Sequence, residues 1–593
     1  MRELDLQDRR GSFRAATLVA ACGMAWSVPS VAFGQFTTQV LIATMEQDEG
    51  IIFENPRRES AFGLSVGAAG DFNGDGVDDV IIGARRDGAA GAAYVVFGRS
   101  DGFPLVVDVS LLDGEDGLKI NGFLPGDGMG WDVNGKIDIN GDGIDDVITS
   151  AARADVDGRQ DAGAVYVVFG KDVGVVGPFA ALFNIGDLDE DTGIRFIGAN
   201  EFDETGFAVE VAGDFDDDGL DDFIAGVPLL DVDGQEDAGG AYLLYGREYP
   251  DEAFPPLYDY RDIEPDSGIL LFIRADDEER AGSSVSPAGD VNGDGVDDII
   301  VGAPRAYFSA GKTYVVFGEP GRTSETVELD QLDGTDGFAL LPPAGVYGNS
   351  GEAVSSLGDI NGDGIADIAI STPRESAGGK YSNGVTRIIF GRDDGFPPEF
   401  DLGDLDGTNG FSIEGALEFD VSGRSLDAGD INGDGLMDLA IGAPYGYGDG
   451  VMRAAGRVYV LFGDDDGFPP VVQLADLDGD NGFTIVGAGD FDRTGFDVAF
   501  LGDINGDGVD DLAIGNYPAP GDGDERAYVI FGRQGATSCP ADLDGDGALT
   551  IFDFLAFQNL FDIMDPLADF DGDGNFTIFD FLAFQNAFSA GCP

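Results

Sequence analysis

The sequence predicts an all-β seven-bladed β-propeller of four-stranded blades, followed by a small α-helical module. Three observations predict it. An acidic nine-residue loop returns seven times, about every seventy residues. Short apolar segments of strand length surround each copy. A different, twelve-residue acidic loop then appears twice near the C-terminal end. A repeat of this length, built from short strands, indicates blades around an axis, because each unit can bury its apolar faces only against its neighbours.

In chain order, the first feature is a basic stretch with Arg9, Arg10 and Arg14. An apolar run from Ala15 to Phe33 follows, and Ala32-Phe33-Gly34 offers small residues before Gln35. Residues 1–34 read as an export signal. A transmembrane anchor fits less well, since Ser27, Pro29 and Ser30 interrupt the run. Val19-Ala20-Ala21-Cys22 also reads as a lipoprotein cleavage box, so attachment through Cys22 stands as the alternative. The expected location is secreted or cell-surface attached, with no other segment able to span a bilayer.

Residues 35–533 hold the repeats. In the first loop, DFNGDGVDD, Asp71, Asn73 and Asp75 alternate, Gly76 permits a sharp turn, Val77 offers a carbonyl and Asp79 closes the shell. Calcium takes six to eight oxygens of this kind. The second set is Asp138, Asn140, Asp142, Ile144 and Asp146, and the third is Asp214, Asp216, Asp218, Leu220 and Asp222. The fourth is Asp290, Asn292, Asp294, Val296 and Asp298, and the fifth is Asp359, Asn361, Asp363, Ile365 and Asp367. The sixth is Asp430, Asn432, Asp434, Leu436 and Asp438, and the seventh is Asp503, Asn505, Asp507, Val509 and Asp511. Position eight is Asp78 in the first copy but Ala366 and Met437 in others, so it is not read as a ligand. One Ca²⁺ per blade is expected.

Four strand-like segments accompany each loop. In the first repeat Phe62–Val66 precedes it, and Val80–Gly83, Tyr94–Phe97 and Gly117–Ile120 follow. The third segment recurs as Tyr166–Phe169, Tyr242–Tyr245, Tyr314–Phe317, Arg387–Phe390, Tyr459–Phe462 and Tyr528–Phe531, always followed by Gly, as a turn would want. No fourth segment follows Phe531, yet Gly50–Phe53 stands alone before the first repeat. The N-terminal strand is therefore expected to complete the last blade, closing the ring and removing its open edges.

These residues resemble the FG-GAP repeats of integrin α-chain propellers. Phe62-Gly63 supplies the FG; Gly302-Ala303-Pro304 and Gly442-Ala443-Pro444 supply the GAP, with Gly226-Val227-Pro228 close to it. Blades two and five depart, with Met129-Gly130-Trp131 and Tyr347-Gly348-Asn349 where Phe-Gly is expected. The likeness is to the propeller and not to a whole receptor subunit.

Composition narrows the function classes. Acidic residues outnumber basic ones 112 to 32, for a formal charge of −80. Nine bound Ca²⁺ would still leave roughly −60, which repels a phosphate backbone and argues against a nucleic-acid partner. There is no histidine, which removes Ser-His-Asp and Cys-His nucleophiles and His-ligated zinc. A carboxylate-pair glycoside hydrolase stays open, although nothing marks out a pair. The expectation is a non-enzyme. Each calcium ion reads first as a structural pin, since identical sites look like architecture. Connections that differ between blades, such as Arg85–Ala92, Arg153–Ala164, Leu229–Gly240 and Tyr445–Gly456, are where a ligand is expected.

After a linker at 534–538, residues 539–593 carry the twelve-residue loops. Their ligand sets are Asp542, Asp544, Asp546, Ala548, Thr550 and Asp553, then Asp569, Asp571, Asp573, Asn575, Thr577 and Asp580, an EF-hand-type order. Both continue as FLAFQN, so one loop-and-helix unit is duplicated. Cys539 and Cys592 bracket the module and can bridge in an exported protein, or stay as free thiols. The module resembles a dockerin of the kind ending in Gly-Cys, here Gly591-Cys592. That resemblance implies folding on two Ca²⁺ and docking onto a cohesin-like surface or scaffold protein. Ile551, Phe552, Ile578 and Phe579 replace the small polar recognition residues of such modules and read as an apolar docking face, with a phenylalanine core as the other reading. The function expected is adhesion or extracellular recognition of protein or glycan. A carbohydrate-binding or carbohydrate-degrading component of a dockerin-assembled complex is the alternative, and a structural surface-layer component a third.

Overall fold

The computed structural model describes residues 36–534, apart from 233, 249–253, 263–268, 274–277, 323–325, 447–453 and 519–524. Beyond 534 it describes 554, 556–558, 560, 561, 577, 581–585 and 588. The leader with Cys22, the linker beyond Gln534, both C-terminal cysteines, the docking residues Ile551, Phe552, Ile578 and Phe579, and every expected C-terminal loop ligand except Thr577 lie outside the described residues.

Seven sheets form the ring, each with the same strand order. In the first blade Phe62–Gly70 is innermost, followed outward by Asp79–Ala84, Ala92–Val96 and Gly117–Asn121, all antiparallel. The middle strands Asp79–Ala84 and Ala92–Val96 are buried along their whole length. Neighbouring sheets cover both their faces, which is why they read as continuous apolar runs and not as an alternation. Seven apolar clusters fill the spaces between adjacent sheets. One joins Ile51, Phe53 and Val529 of the last blade to Val80, Ile82 and Tyr94 of the first.

Each sheet has five strands, one more than expected. The extra strand is a three-residue segment sent back from the following repeat: Leu182–Asn184, between the third and fourth strands of blade two, pairs in parallel with Lys119–Asn121 of blade one. Three residues are too few to show a period, so this strand carries no sequence signal.

The ring closes through the N-terminal segment, as expected. Gly50–Glu54 pairs antiparallel with Arg526–Ile530 as the fourth strand of blade seven, and Gln39–Leu41 pairs in parallel with Thr484–Val486 of blade six. Residues 39–54 thus supply both the return strand to blade six and the outer strand of blade seven.

The FG and GAP glycines have a packing cause. A Cβ on Gly302 of blade four would lie 2.4 Å from the carbonyl oxygen of Gly351 at the head of blade five. The same approach joins Gly83 to Gly130, Gly226 to Gly282, Gly442 to Gly495 and Gly515 to Gly63. Only glycine lets two blades come this close near the axis. This corrects the alignment of blade five: Ser350-Gly351 holds the Phe-Gly position, with Gly351 N–H donating to Ser371 O at 2.9 Å. Tyr347-Gly348 lies in the connection before it, and its likeness to the motif is incidental.

Candidate cation-binding loops and the opposite end of the ring

Every acidic loop joins the innermost strand of its blade to the second, so all seven emerge at one end of the ring. In the first, Asp71 accepts the backbone N–H groups of Asp75 and Gly76, both at 2.8 Å, and Asp75 accepts that of Val77 at 3.1 Å. Asn73 Nδ2 donates to Asp79 at 3.2 Å. Asp79 is fully buried and also accepts from Gly98 N–H at 2.8 Å. The other six loops repeat the main features. Position-seven N–H groups of Ile144, Leu220, Val296, Ile365, Leu436 and Val509 each donate to the position-five carboxylate. Position-one carboxylates Asp138, Asp214, Asp290, Asp359, Asp430 and Asp503 each hold the turn through two N–H groups.

The position-nine carboxylates sit in an unfavourable field. Burial first, and the carboxylates at positions five and one after it, push Asp298, Asp367 and Asp511 up to about 8. Asp79, Asp146, Asp222 and Asp438 are likewise raised well above the usual carboxylate range, chiefly by burial. Blade three is the extreme case. With Asp216 where the other loops have Asn, the carboxylates of Asp214, Asp216 and Asp218 lie within 4.8 Å of one another, and burial and its two neighbours raise Asp216 to about 6.

These residues fit a hard divalent cation. The side-chain donors are all oxygens where a ligand is needed, and two buried oxygens, Asn73 Oδ1 and Asp216 Oδ1, have no hydrogen-bond partner. An ion such as Ca²⁺ would satisfy both the orphaned oxygens and the excess charge.

Two features of this end lie beyond the sequence reading. The invariable Gly after the third strand is not there for a turn. Its N–H donates to the position-nine Asp in all seven blades. A Cβ at Gly98 would lie 2.1 Å from the Asp78 carbonyl oxygen, so close approach excludes any side chain. Position eight, set aside as a non-ligand, is a latch between blades. Asp145 accepts Asp71 N–H at 2.7 Å, and Asp221, Asp297, Asp510 and Asp78 accept those of Asp138, Asp214, Asp430 and Asp503, each at 3.0 Å. Ala366 and Met437 leave the two remaining junctions without it. The signal was present as Asp in five copies of seven.

The opposite end is built differently. Among the described residues, all six exposed aromatic side chains lie there: Phe123, Phe202, Tyr347, Tyr381, Phe419 and Tyr445. Each sits in a connection between second and third strands or between one blade and the next. The axial channel opens at this end. The residue following the inter-blade glycine lines its mouth in every blade: Leu64, Trp131, Phe207, Ser283, Glu352, Arg424 and Phe496. Deeper in the channel, the carboxylates of Asp132, Glu210, Asp427 and Asp497 tie blades together. Asp132 accepts Val209 N–H at 2.9 Å, and Asp497 accepts Val66 N–H at 3.0 Å. Burial raises Asp132 and Asp427 to about 7.

In the C-terminal module, the two FLAFQN copies face each other through aromatic rings. Phe557 and Phe584 are buried and stacked at 4.4 Å, and Phe554 meets Phe581 edge-on at 5.9 Å. These phenylalanines belong to a core; the residues expected to dock lie outside the described set.

Among the described residues no helix is long and apolar enough to cross a membrane. Five segments, residues 62–96, 130–168, 281–316, 350–388 and 422–461, match the family described as FG-GAP repeat. They coincide with blades one, two, four, five and six, and the match beginning at 350 agrees with the corrected register of blade five. The chain is 35% identical over 176 residues to phosphatidylinositol-glycan-specific phospholipase D of Rattus norvegicus, covering 30% of this chain and 20% of that protein. It is 30% identical over 249 residues to integrin alpha-5 of Xenopus laevis, covering 41% and 20%, and 32% identical over 269 residues to integrin alpha-PS2 of Drosophila melanogaster, covering 42% and 17%. The chain thus spans about a fifth of the length of these curated relatives.

Proposed function

We propose that this protein is an exported, calcium-held FG-GAP propeller that recognises an extracellular protein or glycan through the end opposite its acidic loops. The observation that carries this reading is the placement of every exposed aromatic among the described residues at that one end. Exposed aromatics are costly to leave in water and are enriched where partners bind. They sit here on loops of differing length and sequence held by a repeated scaffold, the usual arrangement for a binding rim. One relative is named for a phospholipase and two for integrins, and each shares only a fifth of its length with this chain, so neither name is carried over whole.

In this reading the seven loops hold Ca²⁺ through their position-one, -three, -five and -nine side chains and the position-seven carbonyl. The ions supply the positive charge that the buried carboxylates lack, and their role is to fix the blade ends. The signal over 1–34 delivers the chain outside the cell, and residues 539–593, with two more Ca²⁺ and a Cys539–Cys592 bridge, attach it to a cohesin-like surface or scaffold protein. Cys22 is the alternative point of attachment.

The test is retention of beads coated with the full-length chain, in millimolar calcium, on immobilised envelope protein and extracellular polysaccharide. Replacing Phe202, Tyr381 and Phe419 with Ser is expected to abolish retention. Replacing Val175 and Val176, exposed at the acidic-loop end, is expected to leave it intact. Equal retention by both variants overturns the assignment of the rim.

A further inference from the structure

Three arginines of this very acidic chain, Arg85, Arg153 and Arg424, line the mouth of the axial channel. Arg153 pairs with Glu204 at 3.1 Å. Arg85 and Arg424 have no carboxylate within ion-pair distance among the described residues, although Arg424 acts at longer range on Asp497 and favours its charged form. Each guanidinium instead lies over an aromatic ring, Arg85 4.3 Å from the centre of Trp131 and Arg424 4.7 Å from that of Phe496. Stacking fixes the plane of a guanidinium while leaving its N–H edge available, which is the preorganisation that bidentate capture of a carboxylate needs.

The cavity below measures about 500 Å³, within the range that encloses a small ligand. Its polarity is graded. Arginines stand beside aromatic rings at the mouth, with Glu352 among them, while Asp132, Glu210 and Asp497 lie deeper; Asp132 and Asp497 each already accept a backbone N–H and a serine hydroxyl, Ser65 and Ser425 respectively. Acids at the base disfavour a multiply charged anion such as phosphate but can accept further hydrogen bonds from hydroxyl groups. A ligand that matches carries one planar carboxylate at one end, hydroxyls at the other and a compact, partly apolar body between.

We propose that the channel mouth is a binding site for a carboxylate-bearing sugar of the uronic-acid class, its carboxylate held by Arg85 and Arg424 and its hydroxyls by Asp132 and Asp497. The ring lies against the edge of Trp131 or Phe496. This site is separate from the rim's partner: it is a pocket for one sugar unit and requires none of the exposed rim aromatics.

Calorimetric titration of the full-length, calcium-saturated protein with methyl β-glucuronide tests it, with methyl β-glucoside and inorganic sulfate as comparison probes. Binding of the glucuronide is expected at least about tenfold tighter than either. Arg424→Ala and Arg85→Ala are each expected to weaken it about tenfold or more, and Arg424→Lys, which keeps charge without the planar fork, to weaken it similarly. Arg99→Ala, which removes an arginine stacked on Phe103 away from the channel, is expected to change nothing. Arg424→Lys keeps the test valid if an alanine variant misfolds. Absence of glucuronide binding, equal affinity for the glucoside or sulfate, or full affinity in Arg424→Lys each overturns the proposal. Rim variants that lose bead retention but keep glucuronide affinity would show that the two sites are independent.

Discussion

At one end of the blades, seven connections repeat the same hydrogen bonds: a position-one carboxylate closing the turn, a buried position-nine carboxylate, and a glycine N–H donated to it. At the other end, the residues equivalent by position run Leu64, Trp131, Phe207, Ser283, Glu352, Arg424 and Phe496, with only phenylalanine used twice. Both ends belong to the same sheets and lie only a few residues apart in sequence. The difference shows where geometry dictates side chains. The acidic end must solve one backbone problem seven times, a tight turn packed on a neighbouring carbonyl, and few residue types can solve it. At the mouth the blades meet through glycine, and the next residue lines a shared cavity that side chains of different kinds can fill.

The largest effect that would test this contrast is removal of divalent cation. At tenfold excess over its dissociation constant each site contributes about 1.4 kcal/mol, so seven independent sites contribute roughly 10. Chelator is therefore expected to lower Tm by about 10 °C or more, measured by scanning calorimetry; an unchanged Tm would mean the loops hold themselves. The second test concerns pH in chelator. Asp298, Asp367 and Asp511 are held up at about 8 in the folded chain, against about 4 when unfolded. Between those values the folded state binds more protons, so stability falls as pH rises from about 5 to 8. Saturating calcium is expected to flatten that slope.

Smaller effects distinguish the parts of the acidic end. Gly98→Ala places a Cβ 2.1 Å from the Asp78 carbonyl oxygen and is expected to cost about 3 kcal/mol in denaturant titration. Asp145→Ala removes a latch to Asp71 N–H and is expected to cost about 1.5 kcal/mol. Ala366→Asp, at a junction without the latch, is expected to gain a few tenths or nothing, and a loss there would show that blades four and five meet differently. At the opposite end Phe202→Ser is expected to change stability by less than about 0.5 kcal/mol, since the side chain is exposed. A large loss would mean that this rim is also built by the fold.

Much of the acidic end was legible because its constraint is local. Asp, Asn and Gly at fixed spacing are what one turn requires, and seven copies remove coincidence. The closing strand Gly50–Phe53 was legible as an apolar segment without a repeat of its own. Less legible was anything set by a neighbouring blade. Asp145 carries no local reason to differ from Ala366 until Asp71 N–H is seen beside it, and Tyr347-Gly348 imitated the motif that Ser350-Gly351 fulfils. The return strand Leu182–Asn184 is too short for periodicity to reveal.

The sequence by itself determined the number of blades, the acidic loops with their oxygen order and the closure of the ring, because each follows from short-range patterns repeated along the chain. Only the tertiary structure decided that Arg85, Trp131, Arg424 and Phe496 share one cavity, that position eight latches blades together, and that the exposed aromatics lie at one end. Those facts depend on residues tens to hundreds of positions apart brought together by ring closure, and no local pattern records which blade a residue will face.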